Sequence, residues 1–302
     1  MVLAGVPLMM RWPQERITLV VESTAVRLMG VTRGVVSRWA SAPLPRGTIE
    51  DGAVADPGAL AQVLERLWAN HPTGMPLPRD RVLLAIPGRH VASRMEPIAG
   101  PDLPDSSEME LRARQALPRP DAYYASQLVG APPKQGLYIV AAPMALVDGY
   151  IAAIELVGLG LAAIDLKPLA LIRAVGQRYT IIVDGEHTFG TIIIVDDALP
   201  RQVRVWPLDA PLLAVPEEKV MRVVEALHDA ILQYNAESLG RALHPAVPVF
   251  LSGTLADHPL LHDVIREVLG HPVGQVVPPF QTPRDMPLSQ FLANIGLAQK
   301  RL

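Results

Sequence analysis

The sequence predicts an α/β protein made of two similar halves. Two stretches, residues 17–39 and 180–205, each contain three β-rich runs separated by polar turns, which is typical of a three-stranded antiparallel meander. Each stretch is followed by a segment with apolar residues at helical spacing, residues 60–67 after the first and 220–231 after the second. A meander followed by a helix, twice in one chain, indicates an internal duplication with a cleft between the halves.

The rest of the chain also alternates between strand and helix patterns. Short apolar runs predict further strands at residues 81–86, 137–142, 161–166 and 247–251. Helical patterns cover residues 107–117, 144–157, 260–269 and 288–302. Ser107 and Glu110 match a capping box at the start of the first of these helices. The segment between the two repeats therefore predicts a small α/β lobe inserted in the first half.

Composition excludes several classes of protein. Half of the 302 residues are hydrophobic and 19% are charged, which excludes a disordered chain and is enough for a two-domain core. A net charge of −3 gives no sign of a nucleic-acid partner. Since there is no cysteine, neither a disulfide framework nor a thiolate metal site is possible. The apolar stretches at residues 136–147 and 156–164 are shorter than the roughly 20 residues that span a bilayer. Residues 1–10 lack the basic region of a signal peptide.

Four segments, in their order along the chain, carry a family resemblance. They are residues 82–97 (VLLAIPGRHVASRMEP), residues 138–174, Phe250-Leu-Ser-Gly253 and Ile295-Gly-Leu-Ala298. From about Ile17 to the C terminus, the chain resembles the PilM family, the actin-like cytoplasmic components of type IV pilus assembly, which are relatives of FtsA.

The resemblance implies a duplicated actin-like (ribonuclease-H-like) fold, with four subdomains around a cleft. The expected boundaries are an N-terminal extension at 1–15, subdomain 1A at 16–80 and 150–178, subdomain 1C at 81–149, and domain 2 at 179–302, with a reduced subdomain 2B near 206–235. The interval from Trp206 to Pro216 is too short for the independent 2B lobe of the family, so one wall of the cleft is expected to be missing.

The resemblance also implies a partner and a location. In the family, a short cytoplasmic peptide of the membrane protein PilN docks between subdomains 1A and 1C, so we expect a PilN-like partner and a peripheral position at the inner face of the cytoplasmic membrane. Homo-oligomers are possible, and other platform proteins are further candidate partners. The expected peptide-binding residues are Ile86, Pro87, Gly88, Met144, Val147 and Ile151.

The nucleotide site implied by the resemblance departs from the family pattern. Actin-like proteins hold phosphate and Mg²⁺ with two Asp-x-Gly turns, where glycine lets backbone N–H groups approach the phosphates. Val20 and Glu22 stand at the first pair of positions, and Glu186 replaces the second glycine after Asp184. A glutamate at such a position repels phosphate, by about 4 kcal/mol at 4 Å and an effective dielectric of about 20. The candidate cleft residues are Glu22, Ser23, Thr24, Asp184, Gly185, Ser252 and Gly253.

The sequence therefore predicts a scaffold that binds MgATP weakly or not at all, with no catalytic residue, cofactor or metal. Two alternatives stay open: an active ATPase or phosphotransferase with Asp184 as its base, and a cytoplasmic component of a type II secretion platform. His258 and His262 have the i, i+4 spacing of metal ligands but no glutamate between them, so a solvated helix start is the better interpretation.

Overall fold

The computed structural model describes residues 15–69, 77–98, 104–129, 136–208, 215–237 and 242–301. The predicted N-terminal extension therefore lies, apart from its last residue, outside the described residues. The elements up to residue 175 are β1 (Arg16–Val21), β2 (Ala25–Thr32), β3 (Val35–Pro43), β4 (Ile49–Glu50), β5 (Ala53–Val54), α1 (Pro57–Ala69), β6 (Val82–Ile86), β7 (Ala92–Pro97), α2 (Ser106–Ala116), β8 (Ala122–Val129), β9 (Gly136–Pro143), α3 (Met144–Leu156), β10 (Leu161–Leu166) and α4 (Lys167–Val175).

The later elements begin with a second meander. They are β11 (Thr180–Gly185), β12 (Phe189–Asp196), β13 (Leu199–Pro207), α5 (Pro216–Glu237), β14 (Val249–Gly253), α6 (Pro259–Val268), β15 (Val273–Gly274), a 3₁₀ turn (Leu288–Phe291) and α7 (Leu292–Ala298). Within the described part of the chain, no helix is both long and apolar enough to cross a membrane.

Two five-stranded sheets have the same topology. The first has the order β10-β6-β1-β2-β3 and the second has the order β15-β14-β11-β12-β13. In each, the first strand of the meander pairs antiparallel with the second strand and parallel with a strand from later in the chain, β6 in the first sheet and β14 in the second. This equivalence confirms the predicted duplication and the α/β fold class.

Helices cover both faces of each sheet. Helices α1 and α3 pack on the outer face of the first sheet. Helices α5 and α6 cover the outer face of the second sheet. Helix α5 buries one stripe at helical spacing, Val220, Val223, Val224, Leu227 and Ala230. The first four were predicted, whereas the predicted Ile231 is only partly buried against the same core. Helices α4 and α7 lie between the two sheets and form a shared core with the inner faces of both.

The closest helix contact lies in that shared layer, where α4 crosses α7. A Cβ built on Gly296 of α7 would lie 1.7 Å from the backbone oxygen of Ala170 in α4. Only glycine fits at this crossing, because any side chain would collide with the backbone of the other helix.

A three-stranded sheet in the order β7-β9-β8 forms a separate lobe with α2. The N-cap of α2 is Asp105, which accepts the backbone N–H of Glu108 at 2.8 Å. The predicted cap, Ser107, is wrong because that residue lies inside the helix. The domain boundary that we placed between residues 149 and 150 falls within α3, and Tyr150 of that helix packs in the core of the first sheet. The lobe is therefore better ended before Met144.

Candidate functional site

Two equivalent hairpin turns face each other across the cleft between the halves. After β1, the backbone N–H of Glu22 donates to the oxygen of Ala25 at 2.9 Å. After β11, the N–H of Glu186 donates to the oxygen of Phe189, also at 2.9 Å. The hydroxyl groups of Ser23 and Thr188 form a hydrogen bond that joins the two turns. The duplication thus places one glutamate from each half at the same position of its turn.

A buried lysine lies between these turns. Lys167 is the first residue of α4, and its Nζ lies 2.6 Å from Glu22 Oε1, 2.6 Å from Asp184 Oδ2 and 2.7 Å from Glu186 Oε1. Arg27 of β2 forms a second ion pair with Glu22. All five side chains are almost fully buried. We call Glu22, Arg27, Lys167, Asp184 and Glu186 the cleft cluster.

The local structure explains why these side chains converge. Asp184 is the penultimate residue of β11, so it projects from the carboxyl end of the central strand of its sheet. Lys167 enters the cleft because β10 ends beside β6 and the chain turns directly into α4, with Leu166 extended and proline in the first turn. The positive side chain lies at the helix N terminus, where the macrodipole disfavours it, and the carboxylates compensate.

The charges of the cluster explain its protonation. Burial alone would raise the pKa of Glu22, but Lys167 and Arg27 together outweigh burial and lower this pKa. Burial raises the pKa of Glu186 to about 7, because Lys167 offsets it only in part and the Glu22 and Asp184 carboxylates raise it further. Burial would lower the pKa of Lys167, but the surrounding carboxylates raise it well above its ordinary value. Lys167 therefore stays charged, and Glu186 is the group that titrates near neutral pH.

The space left in the cleft is small. Beside the cluster lies a cavity of about 20 Å³, bordered by Ser23, Gly88, Arg89 and Phe189 among others. Such a volume holds about one water molecule, whereas ligand pockets for small molecules usually measure about 300–1,000 Å³. The Arg89 guanidinium lies 4.4 Å from the centre of the Phe189 ring, so a cation–π contact also joins the two halves.

The structure brings together some of the predicted cleft residues but not all of them. Glu22, Ser23 and Asp184 meet in or beside the cluster, where they are joined by Glu186, which was not among the predicted cleft residues. The backbone oxygen of Thr24 accepts the N–H of Leu44, 2.8 Å away.

Gly185, Ser252 and Gly253 form the junction of β11 and β14. A Cβ on Gly253 would lie 2.4 Å from the oxygen of Gly185, so the two strands meet here too closely for a side chain. Ser252 Oγ donates to the oxygen of Ser289 at 3.2 Å. The contacts of Gly185, Ser252 and Gly253 therefore lie within the second half of the fold.

Sequence reasoning missed Lys167 and Arg27. One signal for Lys167 was present: a lysine followed by proline opens a helix whose only other charged residue is Arg173, KPLALIRAV. Cations are disfavoured in a first helical turn, so a lysine there calls for nearby carboxylates. No comparable signal marked Arg27, which lies inside a strand.

A second concave site lies between the three-stranded lobe and the first sheet. It is a cavity of about 270 Å³. One wall is formed by five consecutive residues of the edge strand β8, Tyr123 to Gln127. The opposite wall comes from β6, α3, β10, α4 and the chain after α7, with Ile86, Val147, Ile164, Leu166, Leu169 and Lys300 among its residues. We call this site the lobe groove.

The predicted peptide-binding residues divide between several places. Ile86 and Val147 line the lobe groove. Pro87 and Gly88 instead border the small cavity in the cleft. Ile151 packs against the core of the first sheet, and neither it nor Met144 borders the groove.

One carboxylate marks the floor of the lobe groove. Asp165 is buried, forms an ion pair with Arg173, and lies 3.4 Å from Lys300 Nζ. The groove therefore combines apolar side chains with the ion pair between Asp165 and Lys300.

The histidine pair does not form a metal site. His262 Nε2 lies 2.7 Å from the backbone oxygen of Ala256. Among the described residues, no group of three or more histidine and carboxylate side chains is arranged to hold a metal ion.

No protein-family model matches the chain, and no curated protein matches it in sequence. Solved structures do match its fold. A PilM–PilN type IV pilus biogenesis complex superposes with a TM-score of 0.75 and 21% identity, over 95% of this chain and 98% of the other. The chain has the actin-like fold.

Two more distant structures share this architecture. The ethanolamine utilization protein EutJ from Carboxydothermus hydrogenoformans has a TM-score of 0.55 and 16% identity, over 95% of this chain and 89% of its own. The cytoplasmic domain of EpsL, an inner-membrane component of the type II secretion system of Vibrio cholerae, has a TM-score of 0.51 and 10% identity, over 95% and 97% of the two chains. The duplicated actin-like fold implied by the sequence resemblance is thereby confirmed.

Proposed function

We propose that this chain is a scaffold of a type IV pilus assembly platform, held at the cytoplasmic face of the inner membrane by the N-terminal peptide of a PilN-like protein. The observation that carries the proposal is the lobe groove, in a chain whose fold matches PilM solved in complex with PilN along nearly its whole length. The scaffold turns over no ATP.

The shape of the lobe groove suits an extended peptide. Strand β8 is an edge strand, so one side of its backbone is not paired with another strand of its sheet. A peptide lying along Tyr123 to Gln127 can add to this edge by main-chain hydrogen bonds, while alternate side chains enter the apolar part of the groove. Ile86, Val147 and Leu169 are the apolar contacts available there.

A matched pair of substitutions tests the groove. Leu169 lines the groove and is partly buried, while Leu156 is 66% exposed on α3 and does not border it. The probe is a labelled synthetic peptide that copies the cytoplasmic N terminus of the PilN-like protein from the same genome. Leu169→Glu is expected to weaken peptide binding by tenfold or more, since burying a leucine is worth about 1.5–3 kcal/mol. Leu156→Glu is expected to bind like the wild type. Equal affinity of both variants contradicts the proposed groove.

The cleft supports the proposal that ATP is not turned over. Glutamates occupy the position in both turns where phosphate would approach the backbone, and the ammonium of Lys167 fills the space between the three carboxylates. The remaining cavity of about 20 Å³ has room for about one water molecule.

A thermal scan tests this part of the proposal. A ligand at 100 times its dissociation constant stabilises a protein by about 2.7 kcal/mol, so about 5 mM MgATP reveals a site with a dissociation constant near 50 μM. We expect no shift in Tm. A magnesium-dependent rise in Tm that Asp184→Ala abolishes would show that the cleft binds ATP, and the hypothesis of an active ATPase would then be favoured.

The similarity to the EpsL cytoplasmic domain supports a second candidate function, as a component of a type II secretion platform. Co-purification from the native cells separates the two. We expect the chain to be recovered with the PilN-like protein, and recovery with a type II secretion membrane protein instead assigns it to that system.

A further inference from the structure

Three carboxylate oxygens from the two halves converge on one point. Glu22 belongs to the first half, whereas Asp184 and Glu186 belong to the second. Each places one oxygen 2.6–2.7 Å from the Lys167 Nζ. An ammonium group has three N–H donors, so the three carboxylates use its full capacity.

The Lys167 ammonium thus bridges carboxylates of both halves. We infer that it is a built-in cation that holds the two halves of the fold closed without any ligand.

The charges show why the cleft needs this cation. Without Lys167, Arg27 is left as the one cation of the cleft cluster, paired with Glu22 at its far oxygen. Asp184 and Glu186 then face Glu22 across the junction of the halves with no counter-ion. Buried like charges without a partner destabilise a fold strongly, because neither water nor an opposite charge compensates them.

The same geometry excludes external ligands. The ammonium fills the space between the three carboxylates, and the carboxylates repel a phosphate. Closure by Lys167 uses no partner peptide, so peptide binding in the lobe groove can fail while this inference holds.

Lys167→Met tests whether the charge holds the cleft, because methionine keeps most of the length without the ammonium. We expect a fall in Tm of roughly 5–10 °C. Lys219→Met is the matched control; Lys219 donates to the backbone oxygen of His187 on the surface, and we expect little change.

A triple variant separates the effect of charge from the effect of packing. Lys167→Met with Asp184→Asn and Glu186→Gln leaves Glu22 and Arg27 as a balanced pair. We expect it to regain at least half of the lost Tm. If the triple variant melts as low as Lys167→Met, or if Lys167→Met melts like the wild type, the inference is overturned.

Discussion

At the scale of single residues, Glu186 is the member of the cleft cluster whose charge changes in the neutral range. It faces Lys167, Glu22, Asp184 and the hydroxyl of Ser23. Burial raises the pKa of Tyr150, and the negative charge of Glu186 raises it further. Two of the three charged neighbours of Glu186 are themselves carboxylates, so protonation of Glu186 reduces the repulsion within the cluster.

Stability is therefore expected to fall as pH rises through the neutral range. Between about pH 4.5 and 7, the unfolded chain loses the Glu186 proton while the folded chain keeps it, since folding raises this pKa from 4.5 to about 7. The folded state binds more protons in this window, so the free energy of unfolding decreases with pH, by at most about 3 kcal/mol. Urea unfolding at pH 5 and pH 7 measures this loss.

Glu186→Gln is the control for that measurement, because glutamine cannot titrate. The loss from pH 5 to pH 7 should be clearly smaller in this variant. Glu22 does not disturb the comparison: its pKa is lowered, so its contribution is lost only at pH values below the window. If the free energy of unfolding falls equally from pH 5 to pH 7 in the wild type and in Glu186→Gln, Glu186 does not titrate in this pH range.

At the scale of elements, the crossing of α4 and α7 is the most constrained contact. Arg173 of α4 donates to the backbone oxygen of Gly296 at 3.0 Å, and the glycine leaves room for the backbone of Ala170. Gly296→Ala must push the helices apart in the shared core, and overpacking of this kind typically costs 1–3 kcal/mol or more. We expect a clear loss of Tm.

Gly58→Ala provides a comparison within the first turn of α1. This glycine is exposed, and an added Cβ meets only the side-chain carboxylate of Asp56. Because alanine favours a helix over glycine by about 1 kcal/mol, Gly58→Ala should be neutral or stabilising. A similar loss of stability in both variants would show that the crossing is not specially tight.

The periodicity of the sequence was sufficient to predict the two meanders and most helices, because each pattern is local. It was not sufficient for the cap of α2, since Asp105 and Ser107 are both good capping residues and backbone geometry chooses between them. The turns of the cleft were located through the family resemblance, but Lys167, which pairs with Glu22, was not. Lys167 lies 145 residues from Glu22 along the chain, and contacts of that range leave no periodic signal.

At the scale of the whole molecule, and among the residues that the structure describes, the three-stranded lobe has the smallest hydrophobic core cluster. The buried members of this cluster are Ile98, Ala113, Ala116, Leu137 and Ile139. The two large sheets share much more extensive cores. Regions with fewer buried apolar contacts open more readily, so local stability should be lowest in this lobe.

Hydrogen exchange can test this ranking. Amides of β8 are expected to exchange before those of β1 and β11, and addition of the PilN-like peptide should slow exchange in β8. The amides of β12 provide the control, since this strand lies between β13 and β11 in the second sheet and does not border the groove. Equal slowing of β8 and β12 would indicate a general stabilisation of the protein instead of docking in the groove.

The position of α7 has a consequence for biosynthesis. Asn294 of this helix donates to the backbone oxygen of Thr18, 276 residues earlier in the chain. Helix α7 also packs on β1 and β6, so it completes the inner face of the first sheet. Helix α7 is synthesised after all the other strands and helices described here. Until then, this apolar face of the first sheet lacks the helix that covers it. Chains released before residue 292 carry the same open face, and they are the species on which chaperones and proteases should act first.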